Sequence, residues 1–263
     1  MNTLTIYQVD AFTDHVFGGN PAAVCLLNHW LPSAIMQSIA LENNLSETAF
    51  LVKESNRYHI RWFTPTVEVD LCGHATLAAA HVLFENNLVS GVAIDFFSQR
   101  SGELQVQKSD DGLLTLNFPS DHLDEVYPNA HLIAPFSIAP QKVYKGKTDY
   151  LMVYQQEGEV RALEVDFTAL AKIDCRGVIV TAKGDVVDFV SRFFAPQSGV
   201  DEDPVTGSAH TTLTPYWSKV LDKKVLTAQQ ISSRLGSLKV EDAAERVKIS
   251  GTAITYLKGE IYF

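Results

Sequence analysis

Arg61-Trp62-Phe63-Thr64-Pro65 is followed by an acidic stretch and then by Cys72-Gly73-His74-Ala75-Thr76. Much later the chain runs Arg192-Phe193-Phe194-Ala195-Pro196, again an acidic stretch, then Thr206-Gly207-Ser208-Ala209-His210. Each copy passes from a strand-like aromatic segment through a turn to a glycine that opens an apolar helix. The match continues: Ser98, Arg100, Gly102, Leu104 and Val106 recur as Ser232, Arg234, Gly236, Leu238 and Val240, each 134 positions on (236 − 102). The two helix glycines keep that offset, whereas the leading arginines are 131 apart (192 − 61), so the second copy holds three extra residues before its glycine. A period near half the chain length predicts two similar halves; a solenoid needs shorter periods and more copies. The sequence places function between the two glycine-headed helices.

Around this repeat, short strands dominate. Thr3 to Phe12 alternates roughly, Gly18-Gly19-Asn20-Pro21 reads as a turn, and Ala22 to Leu27 as a second strand. Pro32 is expected at the first helical position, where its missing N–H costs nothing. Ile35, Met36, Ile39 and Ala40 then form the inner face, and Asn43-Asn44 ends the helix. Leu45 to Val52 and Tyr58 to Phe63 pair as a hairpin. From Ala75 to Phe84 nearly every side is small or apolar, the mark of a helix buried all round, here inside a curved sheet. Gly91, Gly102 and Asp111-Gly112 separate strands through Phe118.

Residues 119–142, with Pro119, Pro128, Pro135 and Pro140, are the expected linker. This divides the chain into domains 1–120 and 121–263, the last strand free to return to the first domain. The second half predicts strands from Lys142 to Tyr154, a helix over Phe167 to Lys172, and strands at Val178–Thr181 and Val186–Phe194. Asp222-Lys223-Lys224 reads as a solvated turn.

Composition excludes several function classes. No apolar run reaches the roughly 18–20 residues of a membrane-spanning helix, and Met1 to Ile6 lacks a signal peptide's basic start. Cys25, Cys72 and Cys175 are too few and scattered for a disulfide framework or a zinc motif, so a cytoplasmic protein with reduced thiols is expected. A net charge of −10 repels a phosphate backbone, which excludes nucleic acid as a partner.

A helix N-terminus presents unpaired N–H groups and about half a positive charge, so Gly73 and Gly207 are candidate anion-binding positions. Ser208 adds a hydroxyl. Asp203, four residues before its glycine, is placed to hold or move a proton; Asp201 and Glu202 read as solvated acids or cap residues. Magnesium is disfavoured because no phosphate-cradling loop adjoins either acidic run. Glu47, between a helix end and an apolar strand, is a partly desolvated carboxyl suited to acid–base work. Its place in the second half holds Arg176-Gly177, so Glu47 is not duplicated. His74 can orient a substrate or relay a proton; His81 is expected to pack, and His210 is left open. Cys72 could serve as a thiolate at a helix start, but Thr206, opposite it in the repeat, could not.

Phe12-Thr13, Phe17 to Val24, Ser46 to Phe50, Arg61 to Pro65, Cys72 to Thr76 and Asp203 to Ala209 together resemble the PhzF (phenazine biosynthesis) family. The resemblance runs in order across almost the whole chain. It implies an α+β, diaminopimelate epimerase-like fold: two similar domains, each a curved, mostly antiparallel sheet around a central helix. It also implies a homodimer and no metal or organic cofactor. Glu47 matches the family's acid–base glutamate. His74 and Asp203 match its proton-handling and orienting partners, and Gly73, Gly207 and Ser208 the substrate-holding positions. Related epimerases set two cysteines against each other; here Cys72 faces Thr206, against a two-thiol mechanism. The expected activity is isomerisation of a small carboxylic acid. A racemase or epimerase of amino or hydroxy acids is the alternative, and a non-catalytic acid-binding protein comes after that.

Overall fold

The alternation from Thr3 onward becomes strand β1 (Thr3–Ala11) in a computed structural model that describes residues 2–127 and 129–263. The next strand, β2 (Asn20–Leu27), starts two residues earlier than expected, because Asn20 and Pro21 already pair with Ala11 and Asp10 of β1. Proline is tolerated at this first stretch of a strand, where no second neighbour yet needs its N–H: the parallel partner β3 (Glu47–Glu54) joins only at Ala22. Between them α1 (Ser33–Asn43) makes the crossover that parallel strands require. Pro32 is its N-cap, one position earlier than predicted, and its carbonyl accepts from the Ile35 and Met36 amides. Met36, Ile39 and Ala40 are buried as expected, but Ile35 is exposed. Asn44, in the left-handed region at φ 48°, ends the helix.

Strand β4 (Arg57–Phe63) forms the predicted hairpin with β3 and carries the short β5 (Glu68–Val69) on its far side. The buried helix α2 (Gly73–Glu85) follows, then β6 (Ala93–Ser98), β7 (Gly102–Lys108) and β8 (Leu114–Pro119). Helix α1 covers one face of the sheet, where Ile6, Cys25, Met36, Phe50 and Phe63 share a core. Helix α2 packs against β1, β2, β3, β7 and the C-terminal strand Ala253–Tyr262. Coverage on both faces explains why β2 and β3 are runs of apolar residues without alternation. It also explains the composition of α2: Ala75, Leu77, Ala78, Ala79, Ala80, Val82 and Leu83 are all buried, and a helix enclosed by strands has no polar face to show.

Contacts divide the chain into two units, Met1–Asn117 with Ser250–Phe263, and Phe118–Ile249. The C-terminal strand belongs to the first unit, pairing antiparallel with β1 from Thr3↔Tyr262 to Ala11↔Ala253.

The expected linker is instead structured. It holds β9 (Asp124–Val126) and α3 (Ala130–Ile133), capped by the Asn129 side chain, and it buries Leu132 and Phe136. Pro119 ends β8 and Pro135 lies in the turn after α3, while Pro128 lies outside the described residues. Strands β10 (Lys142–Lys145) and β11 (Asp149–Val153) form a hairpin. Two short helices, α4 (Glu157–Ala162) and α5 (Phe167–Leu170), make a second parallel crossover to β12 (Gly177–Lys183). The first of these was not anticipated from the sequence, where Glu157 and Arg161 pair one turn apart.

Next come β13 (Phe189–Ala195), β14 (Val200–Asp203), α6 (Gly207–Leu221), β15 (Val225–Gln230), β16 (Gly236–Ala243) and β17 (Arg246–Gly251). The predicted strand over Val186–Phe194 begins only at Phe189, since Val186 is exposed in the preceding turn. Each helix glycine thus follows the same path: hairpin, short strand, helix, then a strand parallel to the hairpin's second member. Pro215 interrupts α6 and leaves the Thr211 carbonyl without its helical donor; the Asp121 amide supplies one at 3.2 Å. No helix among the described residues is long and apolar enough to cross a membrane.

Candidate active site

In both units a bidentate ion pair fixes the approach to the helix. Arg61 Nε and Nη2 donate to Glu68 at 2.7 and 2.8 Å; Arg192 Nε and Nη2 donate to Glu202 at 2.7 and 3.0 Å. Arg61 holds the Glu68 carboxyl below the usual carboxylate range. Glu202 is therefore no solvated acid, as the sequence suggested, but the rivet between β13 and β14. The repeated Arg-aromatic-aromatic signature is explained by this clamp, in which planar forks match carboxylate geometry.

Within the first unit the structure brings Glu47 and His74 together. Glu47 opens β3, His74 stands in the first turn of α2, and Oε2 lies 3.0 Å from Nε2. The approach is close enough for ion pairing but poorly aligned for a hydrogen bond. Glu47 Oε2 is buried without a hydrogen-bond partner among the described residues. About 18% of the glutamate side chain remains exposed, so a small molecule can reach it.

Two further side chains hold the imidazole. Asn20 Nδ2 donates to His74 Nδ1 at 3.2 Å, and Cys72 Sγ lies 3.5 Å from the same nitrogen. In the neutral ring, an amide donor at Nδ1 leaves the proton on Nε2, on the side of Glu47. Burial disfavours the imidazolium, but the neighbouring Cys72 and Glu47 outweigh it and raise the His74 pKa well above the usual histidine value. Burial, then the Glu47 charge, pushes the Cys72 thiol up to about 11. Cys72 is thus a neutral thiol near pH 7, and the Glu47 carboxylate is what favours the charged imidazole there. The helix-start thiolate considered from sequence is disfavoured, because burial and the Glu47 charge outweigh the lowering by His74 and the Ala75 amide.

Asn20 was missed in the sequence, where Gly18-Gly19-Asn20-Pro21 suggested only a turn. The backbone shows what the glycine is for. Gly19 sits at φ +57°, and a Cβ there would lie 2.1 Å from the Ala11 carbonyl oxygen. Asp10, buried in β1, accepts from the Phe17 amide at 2.8 Å and holds the loop closed. The strand therefore begins with Asn20 directed at His74.

In the second unit, Asp203 ends β14 and accepts from the Thr206 hydroxyl at 2.5 Å. Gln230, fully buried on β15, orders this corner: it accepts from the Thr206 amide at 2.8 Å and donates to the Asp203 carbonyl at 2.7 Å. No sequence signal singled out Gln230. Ser208 is not a cap; its hydroxyl accepts from Arg176 Nη1 at 3.0 Å, while Nε of the same arginine donates to buried Asp149 at 2.9 Å. Gly207 is buried and begins α6. His210, left open by the sequence, is a core residue. Nδ1 donates to the Thr206 carbonyl at 2.9 Å, the ring lies 6.0 Å from that of Phe189, and burial pushes its pKa down to about 4. Thr76 holds the matched Cys72 carbonyl in the first unit at 2.6 Å. His81 is half-buried, with Nε2 3.1 Å from the Thr255 hydroxyl.

Among the described residues, Glu47, Cys72 and His74 form the group that could hold a metal ion; their ligating atoms all lie within 4.8 Å of one another.

Residues 9–259 match the family model described as phenazine biosynthesis-like protein, PhzC-PhzF. The chain is 53% identical over 259 residues to an uncharacterized isomerase of Pseudomonas aeruginosa, covering 98% of each sequence. A crystal structure of a PhzF family protein from Enterococcus faecalis matches all of both chains, with a TM-score of 0.96 and 48% identity. A hydroxyproline epimerase from Agrobacterium vitis shares the fold alone, with a TM-score of 0.64 and 11% identity over 98% of this chain and 92% of that one. The chain belongs to the PhzC-PhzF, phenazine biosynthesis-like family and is an isomerase of the PhzF type.

Proposed function

We propose that the protein isomerises a small carboxylic acid by general acid–base proton transfer at carbon, without a cofactor. The observation that carries this is the buried Glu47 Oε2, 3.0 Å from His74 Nε2 and accepting no hydrogen bond among the described residues. A carboxylate oxygen so placed keeps a lone pair for a substrate C–H, and the partial exposure of the side chain gives access. Glu47 removes the proton and returns it at another carbon. His74, held by Asn20, orients Glu47 and donates a hydrogen bond to negative charge as it develops. The first amides of α2, from Gly73, suit an enolate or carboxylate oxygen. Asp203, Gly207 and Ser208 take the substrate-orienting roles that their family positions imply.

Epimerisation through Cys72 is the weaker alternative, because a thiol with a pKa of about 11 is a poor base at neutral pH. The test is deuterium uptake by candidate carboxylic acids incubated with the protein in deuterated water, followed by mass spectrometry or NMR. Uptake is expected for at least one acid that binds, and Glu47→Gln should slow it by about 10²-fold or more. Normal exchange in Glu47→Gln, or binding of acids with no exchange at all, would refute the proposal. Cys72→Ala should retain exchange.

A further inference from the structure

Cys72 takes no part in the proposed reaction, yet its sulfur lies 3.5 and 3.9 Å from the two ring nitrogens of His74. With Glu47, it makes a thiol–imidazole–carboxylate cluster in which both Cys72 and His74 are buried. The spacing suits a particular class of ion. Tetrahedral zinc, with bonds of about 2.3 Å to sulfur and 2.0–2.1 Å to nitrogen or oxygen, separates sulfur from nitrogen by about 3.6 Å and nitrogen from oxygen by about 3.4 Å. Here Sγ is 3.9 Å and Glu47 Oε2 is 3.0 Å from Nε2. Small side-chain rotations therefore convert the cluster into three metal ligands. A sulfur and an imidazole select zinc or another thiophilic divalent ion over magnesium or calcium, which prefer oxygen.

We infer that Glu47, Cys72 and His74 form an inhibitory site for Zn²⁺ or a similarly thiophilic divalent cation. The ion displaces the thiol proton to solvent, the imidazole proton shifts from Nε2 to Nδ1, where the Asn20 amide turns to accept it through Oδ1, and the ion is held by Sγ, by Nε2 and by the Glu47 carboxylate, leaving one coordination position for water. No electron transfer is involved. The inhibitory part rests on the catalytic assignment of Glu47 and His74 above: the bound ion occupies the lone pair that would take the substrate proton. Cys72 thereby acquires a role that catalysis does not give it.

Metal binding can be read without any substrate. Metal-free protein is titrated with Co²⁺ while the thiolate-to-cobalt absorption band is followed, and Zn²⁺ affinity is measured by competition with a chromophoric chelator. One ion per chain and a thiolate band are expected, both lost in Cys72→Ala, with affinity at least tenfold weaker in Glu47→Gln. Circular dichroism and a melting curve establish that each variant is folded, and Zn²⁺ should raise the melting temperature of the parent but not of Cys72→Ala. Stoichiometric binding that survives in Cys72→Ala, or no thiolate band and no competition in the parent, overturns the site. The two proposals fail separately. Metal binding alongside normal exchange in Glu47→Gln removes the catalytic assignment and its inhibitory consequence but leaves the metal site. Exchange that depends on Glu47, with no metal bound, removes the site alone.

Discussion

Acid should destabilise this protein through His210. The ring is completely buried, with Nδ1 donating to the Thr206 carbonyl and Nε2 without a hydrogen-bond partner among the described residues. Its pKa is pushed down to about 4 by desolvation, whereas an unfolded histidine titrates near 6.5. Between these values the unfolded chain binds a proton that the folded chain refuses, so stability is full above pH 6.5 and falls as the pH drops towards 4. The gap of about 2.5 pH units, at 1.36 kcal/mol each, gives a loss of about 3 kcal/mol. Below pH 4 this contribution stops growing.

The informative comparison is with His210→Asn, whose side-chain amide can replace Nδ1 in the bond to Thr206 but cannot titrate. Urea denaturation at intervals between pH 7 and pH 4 would give both stability curves. The parent should lose about 3 kcal/mol more than the variant across this range, even if the variant begins lower. Carboxylates and His74 contribute equally to both curves and cancel. Parallel curves would show that His210 does not resist protonation in the folded state.

Replacing Asn20 by Asp turns the amide donor at His74 Nδ1 into an acceptor. The imidazolium should be favoured, and the His74 ring should titrate about one pH unit or more higher by NMR; an unmoved titration would remove Asn20 from any control of His74. Leu77→Ala, in the enclosed face of α2, should cost about 2–5 kcal/mol in chemical denaturation, and a loss under about 1 kcal/mol would contradict the burial of this helix.

The halves of the fold were legible because the repeat is written in residue types that the backbone requires. Arg61 and Arg192 recur because each grips a glutamate, and the small apolar run after Gly73 could describe little except an enclosed helix. Proline density misled where residues 119–142 were expected to link domains, since a turn-forming residue does not reveal whether its neighbours pack; Leu132 and Phe136 do. Glu47 and His74 were singled out from their local sequence, matched family motifs as well, and meet as neighbours in space. Asn20 and Gln230 escaped notice because their importance is purely positional. An amide side chain carries no signature of chemistry until the fold shows which donor and acceptor it joins.

Where the second strand of each parallel pair begins, Glu47 opens β3 in one unit and Arg176 immediately precedes β12 in the other. Each reaches the residue just after its helix glycine, His74 in one case and Ser208 in the other. The duplicated scaffold has divided its inheritance: one copy keeps a group that can exchange a proton, the other a cation that never does so. That division is locked. Asp149 is almost wholly buried against Arg176, so Arg176→Glu would strand two carboxylates face to face. The copies have become complementary parts, and neither can any longer stand in for the other.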